Sequence, residues 1–249
     1  MHGSCHSNPL AILTGASRGI GRETALRFAR AGYRLLLGYR RDAEAAAALA
    51  AECRGLGAPE ARAHELDLED PASIAAFARE AAGSSGEAVL VNNAGVIVWK
   101  ALEEQEDAEV SRQIGTNLVG LILLTRALLP RVRTVLNVGS DLSTFGMARL
   151  TVYCAAKFGV RGFTQALALE RPDLRVLCVN PDRTATGMND FQGRDPAEVA
   201  EVIWRAAEGR YEVPNGGDVN VWESLTGSPA PRDGTDEETG GRPARRRSR

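Results

Sequence analysis

The sequence predicts a three-layer α/β domain, doubly wound, with a seven-stranded parallel sheet. Three observations predict it. Apolar runs and helical stretches alternate from residue 10 to residue 222. The runs are nearly continuous in apolar character, as strands covered on both faces are. The first run also passes through a glycine-rich turn directly into a helix, the arrangement of a phosphate-binding loop.

In order, the first strand is Leu10-Ala11-Ile12-Leu13, and an Arg/Ala-rich helix follows from Ile20 to Ala31. Arg34 to Tyr39 is the second strand and Ala43 to Glu52 an alanine helix. Ala61 to Leu66 forms a weaker third strand. Asp70-Pro71-Ala72-Ser73 carries a helix start, because aspartate caps free N–H groups and proline suits the first turn; that helix continues to Ala82. Ala88 to Val91 is the fourth strand. A long helix covers Asp107 to Leu129 and stops at Pro130. Thr134 to Val138 is the fifth strand, followed by a helix bearing Tyr153 and Lys157 that ends at Glu170. Arg175 to Val179, a helix from Pro196 to Ala207, and a seventh strand from Asp218 to Trp222 complete the series. Residues 1–9 read as a short extension, 10–227 as one Rossmann-like domain, and 228–249, rich in Pro, Gly and charge, as a solvated, disordered tail.

Composition narrows the function classes. Apolar residues make up 44% and charged residues 25%, which fits a soluble globular chain. A net charge of −2 gives the body no electrostatic surface for nucleic acid or membrane. The longest apolar stretch, Leu118 to Leu124, is too short to span a bilayer. Cys5, Cys53, Cys154 and Cys178 have no metal or CxxC spacing, and His2, His6 and His64 are widely separated surface residues, so no metal site is expected. Residues 1–9 lack a signal-peptide pattern, so a reduced cytoplasm is the expectation.

Lysine usage points to one position. Of 30 basic residues only Lys100 and Lys157 are lysine. Lys157 stands four residues after Tyr153, on the same helix face. An ammonium near a phenol favours the phenolate and lowers its pKa toward a range useful for proton transfer. The other reading, a tyrosine and a lysine on a solvated helix, remains open on this pair alone.

The glycine turn reads Thr14-Gly15-Ala16-Ser17-Arg18-Gly19-Ile20-Gly21. Its Gly-x-x-x-Gly-x-Gly spacing differs from the general GxGxxG fingerprint. Together with Asn92-Asn93-Ala94-Gly95, Asn117, Ser140 and Tyr153/Lys157, it resembles the short-chain dehydrogenase/reductase family. The resemblance covers residues 10–223 in the family's order. It is closest to the single-domain, Rossmann-like members that include 3-oxoacyl-carrier-protein reductases and ketone reductases.

The resemblance implies hydride transfer between a nicotinamide and a carbonyl or secondary alcohol. Tyr153 is then the general acid/base, Lys157 lowers its pKa and holds the nicotinamide ribose, and Ser140 polarises the carbonyl. Asn117 bends its helix and holds a water that relays protons from Lys157. Ser140 lies thirteen positions before Tyr153, the family's separation; Ser143 fits less well. Gly15, Ser17, Arg18, Gly19 and Ile20 would wrap the cofactor phosphates, Asp67 and Leu68 border the adenine, and Asn93, Ala94 and Gly95 line the ribose and nicotinamide side. Pro181, Thr184 and Thr186 fall at the nicotinamide carboxamide. A homodimer or homotetramer through the two long helices is implied as well.

Cofactor choice rests on the end of the second strand. An NAD-preferring site carries Asp or Glu there, whereas this chain reads Leu37-Gly38-Tyr39-Arg40-Arg41. Arg18 and Arg40 would hold a 2′-phosphate, so NADP(H) is expected ahead of NAD(H). The sequence also departs from the family. Asp182 replaces the glycine that usually follows Pro181, residues 187–194 are short for a substrate lid, and the closing Asp-Gly-Gly is missing. Leu142, Thr144, Phe145, Met147, Met188 and Phe191 would shape the pocket. A catalytically weak NADP(H)-binding sensor acting through a protein partner is the alternative reading.

Overall fold

In the computed structural model, which describes residues 8–83, 88–188 and 190–226, seven parallel strands lie in the order β3-β2-β1-β4-β5-β6-β7. They are β1 (Leu10–Leu13), β2 (Arg34–Tyr39), β3 (Ala61–Glu65), β4 (Ala88–Asn92), β5 (Val132–Val138), β6 (Arg175–Asn180) and β7 (Asp218–Asn220). The order reverses between β1 and β4, so the crevice at their C-terminal ends is the natural ligand position of such a sheet. Residues 1–7 and 227–249, and with them most of the expected extension and all of the expected tail, lie outside the described residues.

Helices cover both faces, as near-continuous apolar strands require. α1 (Gly19–Arg30), α2 (Ala43–Gly55) and α7 (Pro196–Ala207) bury Phe28, Leu49 and Ile203 against one face. α3 (Pro71–Ala82), α5 (Gly120–Leu128) and the C-terminal half of α6 (Thr151–Glu170) bury Phe77, Leu124 and Leu167 against the other. The helix starts follow from local chemistry. Asp70 accepts from Ala72 N at 2.9 Å and Ser73 N at 3.2 Å. Asp195 accepts from Ala197 N at 2.8 Å, and Pro71 and Pro196 open their helices where no N–H is needed.

Two elements differ from expectation. The long helix over 107–129 is α4 (Asp107–Ile114) and α5 joined by a π turn over Gly115–Val119. Gly120 allows the close approach there, since a Cβ would meet the Leu68 carbonyl oxygen at 2.2 Å. The seventh strand is also shorter than Asp218 to Trp222. Its ladder ends at the pair Asn180↔Asn220, and Val221–Thr226 coil into α8. The next residue of β6 is Pro181, which has no N–H to extend the ladder.

Candidate active site

The glycine turn is shaped by what lies against it. Gly15 (φ 63°) and Gly19 (φ 54°) adopt left-handed backbone that favours glycine. A Cβ on Gly15 would lie 2.8 Å from Ala94 Cα, and one on Gly21 would lie 2.2 Å from the Gly15 carbonyl oxygen. The turn is therefore folded tightly on itself and on the end of β4. Arg18, at the cap position of α1, is extended and supplies no side-chain cap. The first N–H groups of a twelve-residue helix thus face the crevice without a side-chain partner, and the helix dipole favours an anion there. This cradle fits a dinucleotide pyrophosphate.

The Asn92–Gly95 segment is tied to that cradle. Thr14 Oγ1 accepts from Asn93 N (3.0 Å) and Ala94 N (2.9 Å), and Asn93 Nδ2 donates to the Thr14 and Gly15 carbonyl oxygens. The Asn93 side chain is thus occupied in holding the loop, leaving its neighbours' backbone to line the site. Asn92, buried, donates to Thr125 and Asn137, and Asn137 donates to Thr164, a polar ladder linking β4, β5 and α6. Asn117 sits in the π turn; its Oδ1 accepts from Val96 N and its Nδ2 donates to Val96 O, both at 2.8 Å. The residue lies in the π turn that interrupts the helix, and its amide ties that turn to Val96.

Ser140, Tyr153 and Lys157 come together at the end of β5. Ser140 begins a 3-10 turn over Asp141–Ser143, and α6 follows. Lys157 is buried and donates from Nζ to the Val138 carbonyl oxygen at 2.8 Å, with that nitrogen 5.6 Å from the Tyr153 ring centroid. Burial holds its pKa down at about 8. The phenol moves the other way from the expectation that the ammonium acidifies it. Burial pushes the Tyr153 pKa up and the Asp141 charge adds to this, while a hydrogen bond with Ser140 acts in the opposite sense. Desolvation outweighs the ammonium, which is directed to a backbone oxygen instead of the hydroxyl. Ser143 is fully buried and accepts from Ser140 N at 3.0 Å, so it supports the turn and Ser140 is the serine beside the phenol.

The remaining site residues divide. Gly19 and Thr186 are neighbours, a Gly19 Cβ falling 3.1 Å from Thr186 Cγ2. Thr184 is buried and donates to the Asp182 carbonyl oxygen at 2.8 Å; Pro181 O accepts from Asp141 N at 2.9 Å. Arg18 is exposed, with no ion pair among the described residues. Arg40, in contrast, donates to Asp67 at 3.0 Å and pairs with Glu69 at 2.8 Å, and Thr116 also donates to Glu69. Asp67 is engaged by Arg40 and by Glu69 N rather than free for an adenine amino group. Leu68 is buried against α5. Asp42 caps α2 through Ala45 N, so it is not a ribose acceptor at the end of β2.

The pocket guesses separate in the same way. Leu142, Phe145 and Met147 pack around Tyr153 with Ile97, Leu150 and Cys154. Met188 and Phe191 stand exposed on the loop after β6, and Thr144 is exposed. Sequence reasoning missed one partner and one group. Asp182, already noted in the sequence as a carboxylate in place of glycine, is clamped by Arg194 through two 2.7 Å hydrogen bonds across residues 183–194. Asp141 lies 2.6 Å from Ser140 Oγ, and an acid directly following the serine was the signal for it. Among the described residues there is no metal-ligating cluster and no helix long and apolar enough to cross a membrane.

Comparison with known proteins matches the geometry. The short chain dehydrogenase family profile matches residues 9–197. Dehydrogenase/reductase SDR family member 7B of Bos taurus is 32% identical over 229 residues, covering 80% of this chain and 70% of that protein. The 3-oxoacyl-[acyl-carrier-protein] reductase of Pseudomonas aeruginosa is 35% identical over 167 residues, 65% of this chain and 67% of its own. Among solved structures, an alcohol dehydrogenase from Thermococcus sibiricus complexed with 5-hydroxy-NADP superposes with a TM-score of 0.78 at 28% identity, over 86% of this chain and 96% of that one. A short chain dehydrogenase from Burkholderia cenocepacia in complex with NADP gives 0.79 at 28% identity, over 85% and 95%.

Proposed function

This chain belongs to the short-chain dehydrogenase family, and we propose that it is an NADP(H)-dependent oxidoreductase acting on a small carbonyl or secondary alcohol. The observation that carries the proposal is the convergence of Ser140, Tyr153 and Lys157 at the C-terminal end of β5, on the same edge of the sheet as the glycine turn that follows β1. When bound, the nicotinamide supplies or accepts the hydride at the reacting carbon. Tyr153, protonated at neutral pH because burial raises its pKa, gives its proton to the carbonyl oxygen as that oxygen becomes an alkoxide. In the reverse direction the phenolate takes the alcohol proton back. Ser140 holds the reacting oxygen against the phenol, and Lys157 places a positive charge beneath the site below pH 8.

Several observations support NADP(H) over NAD(H). The end of β2 lacks an acid, Asp42 is used as a helix cap, and Arg18 and Arg41 are exposed near it. Two similar solved structures hold NADP or a derivative. The same reading takes the protein as a cytoplasmic homodimer or homotetramer formed through α4–α5 and α6. Val119, Phe158 and Leu169 are exposed on those helices, whereas Ala156 is fully buried and Gly159 packs on Leu118.

The test is oxidation of NADPH by purified protein against ketones, quinones, steroids and acyl thioesters. Turnover of at least one carbonyl is expected, with Tyr153→Phe lowering kcat by about 10²–10⁴ while cofactor binding persists. Turnover that survives Tyr153→Phe would overturn the assignment, as would a panel with no turnover at all.

A further inference from the structure

Asp141 stands directly after Ser140, and the reaction above does not use it. Its Oδ1 accepts the Ser140 hydroxyl proton at 2.6 Å and also accepts from Leu142 N at 2.8 Å. A serine hydroxyl has a single proton. While that proton points at the carboxylate, Ser140 presents only lone pairs to a substrate oxygen and cannot polarise a carbonyl. The turn holds the pair in this arrangement. Leu142 N donates to Ser140 Oγ at 3.2 Å, Ser140 N donates to Ser143 Oγ at 3.0 Å, and Asp141 N donates to Pro181 O at 2.9 Å.

We propose that Asp141 is a positioning residue whose own proton decides whether Ser140 donates a hydrogen bond to a carbonyl oxygen or accepts one from an alcohol. This rests on the hydride-transfer reading above. With Asp141 ionised, the Ser140 proton is committed to the carboxylate and its lone pairs suit an alcohol O–H. With Asp141 protonated, the carboxyl O–H donates to Ser140 Oγ, and the serine proton turns to the carbonyl. Only O–H hydrogen bonds are exchanged, so no further reactant is needed. Protonation of Asp141 therefore favours reduction and ionisation favours oxidation.

Among the described residues Asp141 makes no ion pair. Asp182, after β6, is held by Arg194 and adds negative charge; Tyr153 and Cys154 face it from α6; and Lys157 is directed to Val138 O. Burial raises the Asp141 pKa and Asp182 raises it further, against the opposing bonds from Ser140 and Leu142.

The experiment follows kcat/KM for carbonyl reduction and for alcohol oxidation against pH, in the wild type, Asp141→Ala and Asp141→Asn. In the wild type, reduction is expected to fall with rising pH through an acidic limb that both variants lack. Two substitutions keep the test valid if one fails to fold. A second readout is the cost of Ser140→Ala to reduction at pH 8, expected to be about tenfold greater in the Asp141→Ala background, where the serine proton is free. An unchanged limb in both variants, or equal Ser140→Ala costs in the two backgrounds, would overturn the proposal while leaving Tyr153-dependent turnover intact. Loss of that turnover requirement would instead strike the underlying reading, and this proposal with it.

Discussion

Lys157→Met should abolish catalysis yet raise stability at neutral pH, and the gain should shrink in alkali. Lys157 is buried, and its pKa falls from the ordinary 10.5 to about 8 because burial disfavours the ammonium. At about 1.4 kcal/mol per pH unit, the folded state bears roughly 3 kcal/mol of ionisation cost at pH 7, where the group is charged in both folded and unfolded chains. At pH 9.5 the folded group is neutral and the unfolded one still mostly charged, so roughly 1 kcal/mol remains. The sign follows: a lysine with a lowered folded pKa gains stability as pH rises from 8 toward 10.5. The methionine cannot follow that gain. It also forfeits the bond to Val138 O, which offsets part of the benefit at every pH. The decisive quantity is therefore the change in the stability gap between pH 7 and 9.5, about 2 kcal/mol, or about 4–8 °C in relative Tm. Thermal unfolding of both proteins at the two pH values measures it. A gap that stays constant, or widens in alkali, would refute the idea that the ammonium is held at a desolvation cost.

Gly21→Ala should damage nucleotide binding, since the new Cβ meets Gly15 O at 2.2 Å and Asn93 Nδ2 at 2.6 Å; an NADPH Kd raised by about tenfold in a fluorescence titration is expected, and an unchanged Kd would show that the cradle is not the phosphate site. Arg40→Asp places a third carboxylate beside Asp67 and Glu69, so the NADPH/NADH preference should fall by about tenfold in paired kinetics; an unchanged ratio would assign the 2′-phosphate elsewhere. Arg194→Met removes both bonds to Asp182 and leaves its carboxylate uncompensated near Asp141. Faster proteolysis within residues 183–194 and a raised cofactor KM are expected, and identical cleavage rates would count against the clamp.

The strands along the chain, the Asp70 cap and the motif positions were readable because each is set by short-range chemistry. Runs such as Leu35-Leu36-Leu37 have no polar face, so they must lie between two helical layers, and they do. Asp70 announces a helix because a carboxylate next to free N–H groups is favourable in any surroundings. The spacing of Tyr153 and Lys157 likewise fixes their shared face before any packing is known.

What the linear chain left open depends on groups distant from one another. The charge of Arg40 looks available in sequence, yet folding brings Asp67 and Glu69 against it from the next strand's end. Asp182 looks like a lost glycine until Arg194, twelve positions later, closes the loop across it. The acidity of Tyr153 is the sharpest case. Spacing places an ammonium near the phenol, but the balance between attraction and desolvation is set by how deeply the surrounding layers bury both, and here burial wins. Local propensity and pattern therefore suffice for the elements and their order, whereas pairing of charges and the pKa of the reacting groups depend on distances and solvent exclusion that exist only once the layers have packed.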